Sequence, residues 1–144
     1  MRKSVLFLIG IVFIVSIVVV TFFGMKISFD QFKIYINEIE ITNFDREIRG
    51  NKYKTVYFNE TEGFTTIFIE YKIGPVDASD PDAISFTLSN HTYEDENGET
   101  QYYAEISSSG ELVFYKPKAV TVTVTATDGS GEFDTMLVTC KQGS

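Results

Sequence analysis

Ala119-Val120-Thr121-Val122-Thr123-Val124-Thr125-Ala126-Thr127 is the stretch that decides the fold. Val120, Val122, Val124 and Ala126 share one parity, and Thr121, Thr123, Thr125 and Thr127 share the other. Successive side chains of a strand point to opposite faces, so the pattern predicts a strand with one apolar face. The β-branched residues on both faces suit a pleated backbone. Asp128-Gly129-Ser130-Gly131 then reads as a turn, and residues 133–140 are expected to return antiparallel.

The same period-two signal recurs upstream. Residues 102–107 and 111–115 flank Ser108-Ser109-Gly110 as a hairpin-like pair. Residues 83–88 form another strand candidate, and residues 53–58 a short one. In residues 65–73, Ile67, Ile69, Tyr71 and Ile73 alternate with Thr66, Glu70 and Lys72, with Phe68 breaking the polar side. Gly74-Pro75 stops that strand. In residues 33–42 the apolar positions Ile34 and Ile36 give way to Ile39 and Ile41, so the faces swap near Asn37-Glu38. Residues 89–101 are polar and contain the turn signal Asn97-Gly98. Seven or eight short antiparallel strands with turns between them predict an all-β protein, a β-sandwich.

A different signal opens the chain. Residues 5–23 are free of charge and follow Arg2 and Lys3. Nineteen helical residues span roughly 28 Å, close to the ~30 Å hydrocarbon core of a bilayer. A cleaved signal peptide is the alternative, but Phe22 stands two positions before Gly24, where cleavage needs a small residue. No Cys lies at the end of the run, which disfavours a lipoprotein anchor. Arg2, Lys3 and the terminal amine against Lys26 place the N-terminus in the cytoplasm and the rest outside it. The expected organisation is a cytoplasmic 1–4, a transmembrane helix 5–24, a juxtamembrane linker 25–33, a β-domain 34–141 and a tail 142–144.

Charge excludes some partners. The whole chain carries a net charge of −8, which rises to −10 over residues 25–144. With no basic patch to neutralise phosphates, nucleic acid is not an expected partner. Cys140 is the single cysteine, so the core must hold the domain without an intrachain disulfide.

Several stretches together resemble the bacterial immunoglobulin-like domains of group 2. They are Tyr71-Lys72-Ile73-Gly74-Pro75-Val76-Asp77-Ala78-Ser79, Ile84-Ser85-Phe86-Thr87-Leu88-Ser89, Ala104-Glu105-Ile106 with Ser109-Gly110-Glu111-Leu112, the Thr/Val strand 119–128, and Asp134-Thr135. Phe86 stands where that family has Trp, Lys118-Ala119 where it has Ala-Gly, and segments 51–63 and 91–101 are longer than usual. The resemblance implies an Ig-like sandwich from bacterial or phage surfaces, used for adhesion or as a spacer. The expected function is a membrane-anchored, non-enzymatic adhesion or recognition module, with protein or surface glycan as partner. The alternative is a structural subunit of a larger cell-envelope assembly.

Candidate sites are few. His91 is the only histidine and lies far in sequence from Cys140, so no nucleophile–base pair is expected and no enzyme is read here. Asp77, Asp80, Asp82 and Asp95 are hard oxygen donors in two loops and are weak candidates for Ca²⁺; no other cofactor is expected. Residues 94–98 lack the alternating acidic register of an EF-hand. Tyr93, Tyr102 and Tyr103 sit in or beside the polar 91–103 segment and are the candidate partner contacts. Asn59-Glu60-Thr61 and Asn90-His91-Thr92 match the N-glycosylation pattern, expected to stay bare in a bacterial protein.

Overall fold

The computed structural model describes residues 2–30 and 33–143. They divide into two compact units, Met1–Lys33 and Ile34–Ser144. Gln31 and Phe32 of the expected linker, and Ser144 of the expected tail, lie outside the described residues.

The first unit is one helix, α1 (Lys3–Asp30), of 28 residues and so about 42 Å long. Its Lys3–Phe23 portion is long and apolar enough to cross a membrane, and none of that stretch is buried against protein. Two hydroxyls are satisfied inside the helix, as an apolar solvent requires. Ser16 Oγ donates to the Val12 carbonyl at 2.8 Å and Thr21 Oγ1 to the Ile17 carbonyl at 2.7 Å. The helix continues through residues 25–30, within the expected juxtamembrane linker 25–33. Met25-Lys26-Ile27-Ser28-Phe29-Asp30 contains no Pro or Gly to stop it, and Gly24 before it costs only about 1 kcal/mol.

The second unit contains twelve strands among the described residues. They are β1 (Glu38–Ile41), β2 (Arg46–Ile48), β3 (Asn51–Tyr57), β4 (Thr65–Phe68), β5 (Tyr71–Gly74) and β6 (Ile84–Ser89). The others are β7 (Thr92–Glu94), β8 (Thr100–Tyr102), β9 (Ala104–Ile106), β10 (Glu111–Phe114), β11 (Ala119–Ala126) and β12 (Phe133–Lys141). A five-stranded sheet has the order β2-β3-β12-β11-β6 and a three-stranded sheet the order β4-β10-β9. β1-β5 and β7-β8 are separate two-stranded pairs.

The strand count exceeds the expected seven or eight for three reasons. The 65–73 segment is two strands, β4 on β10 and β5 on β1, although Ile67, Ile69, Tyr71 and Ile73 keep one parity throughout. Ile69 is buried, and Ile67, Tyr71 and Ile73 pack on the core, so side-chain parity survives while the hydrogen-bonding partner changes. The Asn43 amide bridges the break: Nδ2 donates to the Phe68 carbonyl at 2.7 Å, and Oδ1 accepts from Glu70 N–H at 3.2 Å. Second, β2 forms a hairpin with β3 through Arg49 and Gly50, both at positive φ, which is the geometry of a two-residue hairpin turn. Third, polar residues 92–102 form the β7–β8 hairpin. One pairing, β3 with β12, is parallel, so the strands are not all antiparallel as expected.

One core collects the buried faces. β11 alternates as read, with Val120, Val122, Val124 and Ala126 buried and the threonines half-buried. Met136, Val138 and Cys140 of β12 join them, with Leu112 and Phe114 of β10 and Ala104 of β9. Ile36, Ile39 and Ile41 are all buried despite their mixed parity, which accounts for the change of face near Asn37.

Two acids, buried Asp128 and half-buried Asp134, tie this frame together. Asp128 Oδ2 accepts Ile36 N–H at 2.6 Å and Oδ1 accepts Ser130 N–H at 2.9 Å, fastening the residues before β1 to the β11–β12 turn. Asp134 Oδ2 accepts Ile41 N–H at 2.7 Å, Oδ1 accepts Thr135 N–H at 2.9 Å, and Oδ2 pairs with Lys52 Nζ. The Lys52 ammonium also lies 5.4 Å from the Phe44 ring centre.

Candidate functional site

A candidate surface lies where β6 and β9 end their sheets. An open groove of about 360 Å³ is lined from β6 by Phe86, Thr87 and Leu88, and from the neighbouring segments by His91, Tyr102, Glu105 and Ile106. The β6 wall is fixed by local geometry. Gly110 lies at φ +83°, and a Cβ there would sit 2.9 Å from Phe86 Cζ, so the glycine lets the Phe86 ring close over the β9–β10 turn. Tyr71 meets the same ring edge-on at 5.7 Å.

The candidate contact tyrosines divide between two places. Tyr102, 45 % exposed, lies in the groove beside His91, with ring centres 6.1 Å apart. Tyr93 and Tyr103 are half-buried and stack on each other at 4.5 Å. Lysines cover this second pair. Lys116 Nζ lies 4.5 Å from the Tyr93 ring centre and donates to the Tyr93 hydroxyl, while Lys118 Nζ lies 4.8 Å from the Tyr103 ring centre. The Tyr103 carbonyl accepts the N–H groups of Tyr115 at 2.8 Å and Lys116 at 3.3 Å, which holds the lysine segment in place. The accepting Tyr93 hydroxyl keeps Lys116 charged to higher pH than usual. Nearby, Tyr115 Oη donates to Glu105 Oε2 at 2.7 Å, and this bond pushes the Tyr115 phenol up. Sequence reasoning missed Lys116 and Lys118, since strand periodicity does not say which residues meet across a turn.

The four candidate calcium ligands are not gathered. Among the described residues no group of three or more His, Cys, Asp or Glu side chains is placed to hold a metal ion. Asp77, Asp80 and Asp82 are exposed along the turns before β6. Asp95 instead builds the β7–β8 turn. Its Oδ1 accepts the N–H groups of Asn97 and Glu99, both at 2.9 Å, and Oδ2 accepts Gln101 Nε2 at 3.2 Å. The Glu99 N–H is the main cause that holds the Asp95 carboxyl below its usual range, helped by Asn97 and Gln101 against a desolvation effect. A carboxyl with a lower folded value stabilises the turn fully above the unfolded value and loses that effect as pH falls through the folded one. In an NMR titration of the full chain, Asp95 is expected to titrate below aspartate in a reference peptide. Coincidence with the peptide contradicts the turn geometry.

His91 lines the groove, and Cys140 lies on β12. Cys140 is 3 % exposed on β12, and burial pushes its thiol up, against a smaller opposing effect of a backbone hydrogen bond at Lys118. Iodoacetamide is therefore expected to leave the native chain unmodified at neutral pH and to alkylate Cys140 on denaturation. Equal rates in both states contradict the burial. Of the glycosylation patterns, Asn59 Oδ1 accepts Thr61 N–H at 3.1 Å in a tight turn, and Asn90 lies at positive φ. Neither the protein-family models nor the curated proteins compared with this chain yield a match.

Proposed function

We propose that this chain is a single-pass, membrane-anchored recognition module whose β-domain lies outside the cytoplasm and works without catalysis. The groove beside β6 is the observation that carries this reading. Its volume of about 360 Å³ is in the range of small binding sites, and apolar Phe86, Leu88 and Ile106 share its lining with polar Thr87, His91 and Glu105. Tyr102 supplies an exposed ring whose apolar face and hydroxyl both suit contact with protein or glycan. The Tyr93–Tyr103 stack is a lesser contact candidate, because Lys116 and Lys118 already cover its faces. In this reading the shared core and the two larger sheets form an Ig-like sandwich, and Lys3–Phe23 holds it at the bilayer. Cells that display the full chain are expected to adhere more strongly than cells without it to a protein- or glycan-coated surface. Tyr102→Ala combined with Glu105→Ala is expected to return adhesion to background. Equal adhesion with and without the chain, or with and without the substitutions, counts against the groove.

One observation favours a second reading, that of a subunit in a cell-envelope assembly. β6 is a six-residue end strand without charge, Ile84-Ser85-Phe86-Thr87-Leu88-Ser89. End strands of soluble proteins are ordinarily shortened, charged or covered, since an open ladder pairs with other chains.

A further inference from the structure

We propose that the groove beside β6 is a pocket for an arginine side chain of a partner protein, with Glu105 pairing with the guanidinium and Tyr102 stacking on it. The proposal deepens the recognition reading and rests on it.

The lining sorts by chemistry. Phe86 and Leu88 of β6 and Ile106 of β9 are half-buried and packed on the core, so they form a fixed apolar wall that solvent still reaches. Tyr102 and Glu105 are exposed in the same groove. An arginine carries the complement of both parts in one side chain, an apolar stem and a charged, planar head. The stem covers the apolar wall, and the head meets the carboxylate and the phenol ring.

Charge selects a cation. Among the described residues that line the groove there is no lysine or arginine, and Glu105 is the one carboxylate. Lys116 and Lys118, which follow Tyr115 in the chain, are held over the Tyr93 and Tyr103 rings instead. Residues 34–144 contain 19 acidic and eight basic side chains, so the field around the domain concentrates cations and repels anions. An acidic ligand would meet both that field and Glu105. A neutral sugar would bring hydroxyls against Phe86, Leu88 and Ile106, whose side chains offer them no hydrogen bond.

Tyr115 prepares Glu105 for this use. Its Oη donates to Glu105 Oε2 at 2.7 Å from outside the groove lining. That bond takes one of a carboxylate's roughly four acceptor positions and restricts its rotation. A two-point contact with a guanidinium gains from a carboxylate already held in one orientation. Tyr115 is in this sense a positioning residue for the groove.

The test follows the full chain in neutral detergent by NMR, with three capped peptides that differ only in a central arginine, lysine or citrulline. Citrulline keeps the shape of arginine without its charge. The arginine peptide is expected to shift the signals of Tyr102, Glu105 and Ile106 and to bind at least about fivefold more tightly than the citrulline peptide. The lysine peptide is expected to fall between them, because an ammonium lacks the planar fork. Added salt is expected to weaken the arginine peptide and to leave the citrulline peptide unchanged. Glu105→Gln is expected to erase the preference for arginine over citrulline. Tyr115→Phe is expected to cut that preference by about twofold or more, with citrulline binding unchanged. Equal binding of the arginine and citrulline peptides, or arginine shifts confined to other acidic segments, overturns the arginine pocket. Maltotriose shifting the groove signals where the arginine peptide does not also overturns it, in favour of a glycan. In either case, adhesion that still depends on Tyr102 and Glu105 leaves the recognition reading standing, whereas adhesion unchanged by their substitution removes both.

Discussion

Asp134→Ala is expected to destabilise the β-domain by about 3–5 kcal/mol. The Lys52 and Asp134 side chains are 9 % and 20 % exposed, so the pair is largely removed from water. Its two charges were desolvated at a cost that their attraction and hydrogen bonds must offset. Removing the carboxylate leaves the Lys52 ammonium buried, with the Phe44 ring 5.4 Å away as a weak substitute. It also strips the acceptors from Ile41 N–H and Thr135 N–H. The residual exposure of Asp134 places the loss toward the lower end of the range. Unfolding of the full chain in detergent, followed by circular dichroism, is expected to show a midpoint more than about 10 °C lower. Combining Asp134→Leu with Lys52→Met is expected to recover much of the loss, because no charge is then left unpaired. A single-variant loss below about 1 kcal/mol shows that the pair behaves as a solvated surface bridge.

Phe114→Ala is expected to cost a similar amount, about 3–5 kcal/mol. Phe114 is the largest of the fully buried side chains and has no exposed surface. Its strand β10 lies between β4 and β9, with Ala104 and Thr65 opposite Phe114, so neither neighbour offers bulk to fill a cavity. The cost combines lost burial with the void that remains. Phe114→Leu keeps most of the volume and is expected to lose less than half as much, roughly 1–2 kcal/mol. The same unfolding measurement separates them. Equal losses for both variants indicate that the core collapses around the site or that the ring is not part of it.

These energetic anchors differ in how visible they are in the sequence. β11 was legible because one face is buried against a core while the other is half-covered, which imposes a strict period of two. The switch from Ile36 to Ile39 and Ile41 was legible for the same reason. The division of residues 65–73 was hidden, since parity records which side chains are buried and not which strand accepts the hydrogen bonds. Its explanation lies in Asn43, more than twenty residues away. The β7–β8 hairpin escaped notice because its three-residue strands lie outside the main sheets and bury no continuous apolar face. The sequence shows Asp128 only as part of a turn, and no local pattern marks the roles of Asp128 and Asp134, because their partners Ile36, Ile41 and Lys52 come from more than eighty residues away.

The candidate site was legible only in part. Tyr102 falls in the groove, whereas Tyr93 and Tyr103 form a stacked pair under Lys116 and Lys118. The acidic loops drew attention to calcium through composition alone. Asp95 instead directs its carboxylate at its own turn, a local use that short polar side chains adopt wherever the chain reverses. The place of β6 at the end of its sheet depends on the order of the strands, which no local pattern encodes.

The proposed display requires a helix that holds the β-domain at a membrane and a domain that faces away from the cytoplasm. Labelling Glu47→Cys with a membrane-impermeant maleimide in intact cells, then recovering the chain from alkali-washed membranes, tests both together. Position 47 is exposed, and Cys140 is buried. The expected result is a labelled, membrane-retained chain that still carries residues 1–23. A chain that labels only after lysis, or that is found in the soluble fraction without those residues, contradicts the anchored display proposed here.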